Sequence, residues 1–174
     1  MKMKRLAANL ISSFVLVLGC GDRQPGLDPE TPTQPNTPAL LTNPETSAVV
    51  VFDTAFGATR IRAVATIRNA TGEAGLVTLR NPCPVVIELY GADAPALPPR
   101  WEEWRYRLGC KSFSNPVTLQ PQQAVTVSSF PTPIREILGD SIMAGRYWGA
   151  AVIMVKEVES GFVRLFLGPV DLGS

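Results

Sequence analysis

The stretch R-I-R-A-V-A-T-I-R, residues 60–68, decides the fold class of this chain. Its apolar side chains recur at every second position and share one face of an extended segment: Ile61, Ala63, Ala65 and Ile67. The opposite face carries three arginines: Arg60, Arg62 and Arg68. A helix would scatter these residues around its axis, so the pattern predicts a β-strand with one face buried and one in water.

Short apolar segments recur along the sequence from Ser47 onward. Short runs rich in Val and Ile are separated by Gly, Pro and Asn. These runs predict nine strands, near 47–55, 60–68, 75–81, 84–90, 104–108, 116–119, 123–130, 146–157 and 162–171. A single helical turn is predicted from Ile134 to Leu138, after Pro133 and before Gly139. We therefore expect an all-β chain, an Ig-like antiparallel β-sandwich of about 7–9 strands, with a closed barrel as the alternative.

Residues 1–19 have the pattern of a bacterial export signal. Lys2, Lys4 and Arg5 precede a mostly apolar run, and Val17-Leu18-Gly19-Cys20 follows it. The last four residues resemble the lipobox of bacterial lipoproteins, in which the signal is cut before a lipid-modified cysteine. The resemblance implies that Cys20 is lipidated and that the protein is held at a membrane of the cell envelope. Because Gly21 rather than Asp follows the cysteine, the resemblance also favours the outer membrane, on either its periplasmic or its surface face.

Residues 20–46 are expected to form a disordered tether behind the lipidated cysteine. From residue 21 onward the segment contains six prolines and five threonines and has no aromatic residue. Such a composition buries too little apolar surface to offset the entropy of ordering. The domain organisation predicted is a signal peptide at 1–19, a tether at 20–46 and an Ig-like β-sandwich at 47–174.

Apart from Cys20, which the lipobox resemblance assigns to lipid modification, the sequence contains two cysteines. In an exported chain such a pair usually forms a disulfide, so Cys83 and Cys110 are predicted to be joined. A pair of free thiols is the alternative. The two residues lack the C-x-x-C spacing of redox motifs.

Composition and charge restrict the function classes. The formal net charge is +1, and cleavage at Cys20 removes three of the 16 basic residues and none of the 15 acidic ones, which leaves the mature chain slightly acidic. Nucleic acid is therefore not an expected partner. The chain has no histidine, which removes histidine triads and histidine metal sites. We expect no metal and no cofactor.

Catalytic motifs give little support to an enzyme. The sequence lacks the G-x-S-x-G, S-x-x-K and phosphate-loop patterns. Asp53-Thr54-Ala55 follows Val49 to Phe52 in a pattern that faintly resembles the strand and turn of an aspartic protease, but a turn after a strand explains the same residues and is favoured. The acidic pairs Glu102-Glu103 and Glu157/Glu159 are interpreted as solvated faces. We therefore predict no enzymatic activity.

The most unusual segment is Pro98 to Phe113, which interleaves aromatic residues with arginine. These residue types are enriched in binding hot spots, so its candidate binding residues are Trp101, Trp104, Arg105, Tyr106 and Arg107. The alternative, which we favour, is that the tryptophans cover an open end of the sandwich. An envelope protein or peptide would be the partner in the first case.

Three phrases are similar to the BsuPI-type proteinase inhibitor domain and its exported Ig-like relatives. They are A-T-I-R-N-A-T (65–71), L-Q-P-Q-Q-A-V (119–125) and A-G-R-Y (144–147). The glycine expected at Gln122 is absent, and Asn69-Ala70-Thr71, formally a glycosylation sequon, is interpreted as a turn. Tyr147 is either a tyrosine corner or a buried aromatic with a solvated hydroxyl. The resemblance implies the sandwich fold, and it makes protease inhibition the alternative to a non-enzymatic binding or structural module.

Overall fold

The computed structural model describes residues 38–92, 98–106, 110, 112–139 and 142–173. These contain eleven strands, one α-helix (α1, Ile134–Leu138) and one 3-10 helix (Glu103–Tyr106). The strands are β1 Ala39–Leu40, β2 Glu45–Ala55, β3 Ala58–Arg68, β4 Gly75–Asn81, β5 Val85–Gly91, β6 Trp101–Glu102, β7 Ser112–Leu119, β8 Ala124–Ser128, β9 Thr132–Pro133, β10 Arg146–Ile153 and β11 Val163–Asp171.

Two sheets pack face to face, which confirms the predicted all-β sandwich. One sheet has the order β2-β3-β8, with β9 also paired to β3, and the other has the order β11-β10-β5-β6. A third sheet, β1-β4-β7, joins the second through a bridge between Leu79 and Val155. The alternating residues of β3 face inward as predicted, since Ile61, Ala63, Ala65 and Ile67 are fully buried. They meet the inward face of β5, formed by Val85, Ile87 and Leu89, in one continuous core.

One predicted strand, near 104–108, is wrong. The strand at this place is β6, which is only two residues long and ends at Glu102, and a 3-10 helix follows it. The carboxylate of Glu103 accepts a hydrogen bond from the backbone N–H of Ile87 at 3.0 Å. A side chain therefore takes the position that the next backbone carbonyl of β6 would have occupied, and the edge strand stops.

The folded region begins before the predicted boundary at Ser47. β1 pairs in parallel with the start of β4, and the N–H of Leu41 donates to the carbonyl of Leu76 at 2.9 Å. Leu41 is buried, and a Cβ at Gly75 would lie 3.1 Å from the Leu41 Cβ. The missing side chain at Gly75 thus leaves room for this first contact. Residues 20–37 of the predicted tether and the whole signal segment lie outside the described residues.

The disulfide is confirmed between Cys83 and Cys110, whose Cα atoms are 5.3 Å apart. Cys83 is buried beside Val86 and Val152, in a small apolar cluster separate from the main core. This cluster lies on the outward face of β5 and β10, since Val85 and Ile153 face the main core. The bridge therefore fixes Cys110 to the outer face of this sheet.

Tyr147 is a tyrosine corner. Its hydroxyl donates a hydrogen bond of 2.7 Å to the backbone carbonyl of Met143, four residues earlier. Tyr147 lies at the start of β10, and its ring packs against the main core. Of the two interpretations left open by the sequence, the structure supports the corner.

The domain has two distinct ends along β2. Glu45 at one end pairs with Arg68, close to where the chain enters the fold, and Ala55 at the other pairs with Ala58. Eleven residues of strand separate these ends, which corresponds to about 35 Å at the usual rise per residue. A two-residue turn, Phe56-Gly57, closes the hairpin at the far end.

Candidate functional site

The aromatic–arginine segment does not form the exposed site that its composition suggested. Trp101 is only 4% exposed, pairs with Leu89 in the sheet and belongs to the main core. This burial agrees with the interpretation that the sequence favoured, in which the tryptophan covers the sandwich, and the candidate binding role of Trp101 stays a prediction. Arg105 is exposed and forms an ion pair with Glu102. The side chains of Trp104 and Tyr106, and the whole of Arg107, lie outside the described residues.

The acidic residues considered for chemistry have structural partners. Asp53 accepts a hydrogen bond from the Arg62 guanidinium at 3.1 Å across the hairpin. Glu157 accepts one from the backbone N–H of Thr78 at 2.7 Å. In the described part of the chain, no three residues among His, Cys, Asp and Glu come close enough to hold a metal ion.

A buried ionic cluster lies on the outer face of the β11-β10-β5-β6 sheet. Glu88 is 3% exposed, and the guanidinium of Arg164 donates to both of its carboxylate oxygens, at 2.8 and 3.2 Å. The hydroxyl of Tyr90 donates to the same carboxylate at 2.5 Å. Burial, together with this hydrogen bond, raises the pKa of Tyr90, and the hydrogen bond to Glu88 raises the pKa of Arg164. Both shifts keep Tyr90 neutral and Arg164 charged, which suits a structural role.

The hairpin tip presents an aromatic residue to solvent. Phe56 is 97% exposed, and its φ of 53° lies in the left-handed region, as does that of Gly57 at 72°. A turn with two such residues favours Asn-Gly, because asparagine adopts this conformation more readily than a bulky residue does. Phe56 makes one described aromatic contact, with the guanidinium of Arg60 at 5.4 Å from its ring centre. The fold therefore gains little from an aromatic residue here.

Next to the tip is an open cleft of about 610 Å³ with an apolar floor. Phe52, at the same end of β2 and 46% exposed, forms one wall, and Ile134 and Leu138 of α1 form another. Arg135 and Asp171 place one charge of each sign at the rim. Together with Phe56, these residues define the tip surface, an apolar surface at the end of the domain opposite to where the chain enters.

Sequence reasoning did not find the tip surface. The available signal was Ala55-Phe56-Gly57-Ala58, a possible two-residue turn between two strands in which phenylalanine occupies the position usually filled by asparagine. No described helix is long and apolar enough to cross a bilayer. No protein-family model matches the chain, and no curated protein matches it either.

Proposed function

We propose that this protein is a non-enzymatic, lipid-anchored module of the bacterial cell envelope that binds a protein partner through the tip surface. The observation that carries the proposal is Phe56, a fully exposed aromatic residue in a backbone conformation that disfavours it. Strained and exposed residues persist where they serve a function other than folding. Aromatic side chains are also the most frequent anchors of protein interfaces.

The position of the tip surface suits a lipid-anchored protein. The chain enters the fold through β1 and Leu41, at the end of β2 occupied by Glu45, whereas Phe56 lies at the other end. The lipobox resemblance places the lipid at Cys20, on the N-terminal side of that point. A tether of Pro- and Thr-rich composition would add up to about 3.1 Å of reach per residue. The domain would then be linked to its anchor through the chain at β1, and the sorting preference of Gly21 favours the outer membrane.

Membrane attachment is tested by replacing Cys20. We expect Cys20→Ala to release most of the protein from the membrane fraction, because the remaining apolar run of the signal is too short for a stable span. The measurement is the share of protein that sediments with membranes, compared with Cys83→Ala/Cys110→Ala, which removes two thiols but leaves Cys20. Unchanged sedimentation of the Cys20→Ala protein would refute the lipid anchor.

The partner is tested by photo-crosslinking in the native cell. A photoreactive phenylalanine analogue at position 56 preserves the aromatic character of the tip, and the same analogue at the exposed Thr126 on β8 serves as control. We expect one dominant envelope protein to be crosslinked from position 56 and not from position 126. Adducts with lipid alone, or identical adducts from both positions, would contradict the proposal.

The stability of the turn gives an independent test of Phe56. We expect Phe56→Asn to raise the free energy of unfolding by about 0.5 kcal/mol, because asparagine relieves left-handed strain and this gain exceeds the loss of an exposed cation–π contact. The measurement is urea unfolding of the two proteins. Phe130→Asn is the control, since it replaces another partly exposed phenylalanine at a position without positive φ. A clear loss of stability in Phe56→Asn would mean that Phe56 serves the fold.

Protease inhibition is the second candidate function, and one observation favours the resemblance behind it. Gln122 has a φ of 64°, so the backbone adopts the glycine conformation at the position where the related pattern has glycine. The Arg68 guanidinium donates to the Gln122 side chain at 2.6 Å, which helps to hold this turn. If the protein is an inhibitor, stoichiometric amounts should slow an envelope protease, and a protease should be the species crosslinked from position 56.

A further inference from the structure

β2 is a long strand with one open edge. Within the residues that the structure describes, it pairs with β3 alone, over all eleven of its residues. Ala55 and Ala58 flank the two-residue turn and form a hydrogen-bonded pair. The residues of β2 at every second position before Ala55 therefore also form backbone hydrogen bonds with β3. The intervening residues direct their backbone N–H and C=O groups away from β3: Thr46, Ala48, Val50, Phe52 and Thr54. These are the groups that another strand would pair with.

The other edge strands carry features that prevent such pairing. β11 contains Pro169 and lies beside a bulge at Gly149/Ala150, and β7 contains Pro116 and pairs across a bulge at Leu79/Arg80. β8 has five residues and is followed by Pro131, while β1 and β6 have two residues each. Proline, bulges and shortness are the usual means by which proteins protect sheet edges. β2 has no proline, no glycine, no lysine and no bulge in its pairing with β3.

The open edge is also apolar. Residues 49–52 read V-V-V-F, and within this run Val49 is 57% exposed and Phe52 is 46% exposed. A long, regular edge with such a sequence is prone to uncontrolled strand addition unless something covers it. This run therefore needs a defined partner.

We infer that β2 pairs antiparallel with β2 of a second copy of this chain, centred on Val50. In this register all eleven residues are paired, and the outward-facing groups give roughly ten backbone hydrogen bonds, two for each of five residue pairs. Val49 faces Val51 of the second copy, and Ser47 faces Asp53. No like charges are opposed. Centring on Val49 would instead place Glu45 opposite Asp53, a repulsion that disfavours that register.

The pairing buries the exposed side of Val49. It also joins the β2-β3-β8 sheets of the two copies into a single sheet of six main strands, to which each copy contributes β8, β3 and β2. The symmetry is two-fold, so the same patch serves both copies and the assembly closes at a dimer. The two Phe56 turns lie at opposite ends of the joined sheet. The inference is independent of the proposed function, because the dimer forms through backbone groups of β2 and not through the tip surface.

The test uses the full-length protein extracted in a density-matched detergent, with its mass measured by sedimentation equilibrium. We expect the native protein to sediment as a dimer. Val49→Lys/Val51→Lys should shift it to a monomer, because each new cation would face another across the pair. Val49→Lys/Val51→Glu should restore the dimer, because position 49 of one copy then faces the opposite charge at position 51 of the other.

Two control variants separate the edge from other surfaces. Thr126→Lys adds the same charge to the outward face of β8 and should leave the dimer intact. Phe56→Ser removes the exposed aromatic residue and should also leave it intact, even if it abolishes partner binding. A monomeric native protein, or a dimer that persists in Val49→Lys/Val51→Lys, would overturn the inference. Loss of the dimer in Phe56→Ser would assign it to the tip surface instead.

Discussion

Replacing Asn69 with alanine should lower the free energy of unfolding by about 4 kcal/mol, the largest effect that we expect from a polar substitution in this domain. Asn69 is fully buried at the end of β3. Its side-chain nitrogen donates to the carbonyls of Glu73 and Leu119, at 2.7 and 2.9 Å. Its oxygen accepts from the backbone N–H and the hydroxyl of Thr71, at 3.0 and 2.6 Å.

The reason for the large cost is that alanine removes all four hydrogen bonds, to Glu73, Leu119 and Thr71, and leaves the carbonyl of Leu119 buried without its side-chain partner. The carbonyl of Leu119 is at the end of β7, so Asn69 ties the β3–β4 turn to a strand from another sheet. Urea unfolding of Asn69→Ala measures the cost. Gln123→Ala in the adjacent turn is the control and should cost less than about 0.5 kcal/mol, since the Gln123 side chain makes an exposed bond. A cost below about 1 kcal/mol for Asn69→Ala would show that water replaces these bonds.

The second large effect is expected from breaking the ion pair of Glu88 on the outer sheet face, in which the Glu88 side chain is 5% exposed and that of Arg164 is 36% exposed. Arg164→Ala should destabilise the domain by about 3 kcal/mol, because it leaves the Glu88 carboxylate buried with the Tyr90 hydroxyl and no cation. Arg62→Ala is the matched control. It breaks the Arg62–Asp53 pair, whose side chains are each about one-third exposed, and should cost less than about 1 kcal/mol.

A double replacement distinguishes a lost contact from a stranded charge. Glu88→Leu/Arg164→Met removes both charges and keeps apolar volume on the face beside Phe162 and Phe166. Because well-packed apolar residues often replace a buried ion pair at little cost, this variant should be more stable than Arg164→Ala. The measurement is thermal unfolding of the original protein, Arg164→Ala, Arg62→Ala and Glu88→Leu/Arg164→Met. If the double variant is as unstable as Arg164→Ala, the isolated charge is not the source of the cost, which then comes from the lost hydrogen bonds of the cluster, including that of the Tyr90 hydroxyl.

Much of the fold was predictable because local pattern and tertiary environment agree. The alternation at Ile61 to Ile67 matches the buried face of β3, and Pro133 and Gly139 bracket α1 as expected. The Cys83–Cys110 bridge was also foreseen by counting cysteines, whereas the tyrosine corner at Tyr147 was one of two interpretations left open. For β3, α1 and the bridge, a few neighbouring residues, or a chemical constraint, sufficed.

The features that the sequence did not reveal depend on contacts between distant parts of the chain. Residues 104–106 of the strand predicted near 104–108 lie in a 3-10 helix, which begins where the Glu103 side chain reaches the backbone of Ile87. Trp101 is in the core because β6 pairs with β5, which its aromatic and arginine neighbours do not reveal. Leu41 belongs to the folded domain because Gly75, which has no side chain, leaves space for the Leu41 side chain. The tip surface required knowing that the end of β2 and α1 line one cleft, with Phe52 from the strand and Ile134 and Leu138 from the helix.

The central claim is that Phe56 serves contact with a partner and not the stability of the fold. The most direct measurement is the amount of partner that co-purifies from native cells with the Phe56→Asn protein, relative to the original protein at matched expression. We predict that Phe56→Asn is at least as stable as the original chain and loses most of the partner. Undiminished co-purification, with the variant folded and membrane-bound, would contradict the account and remove the tip surface as the binding site.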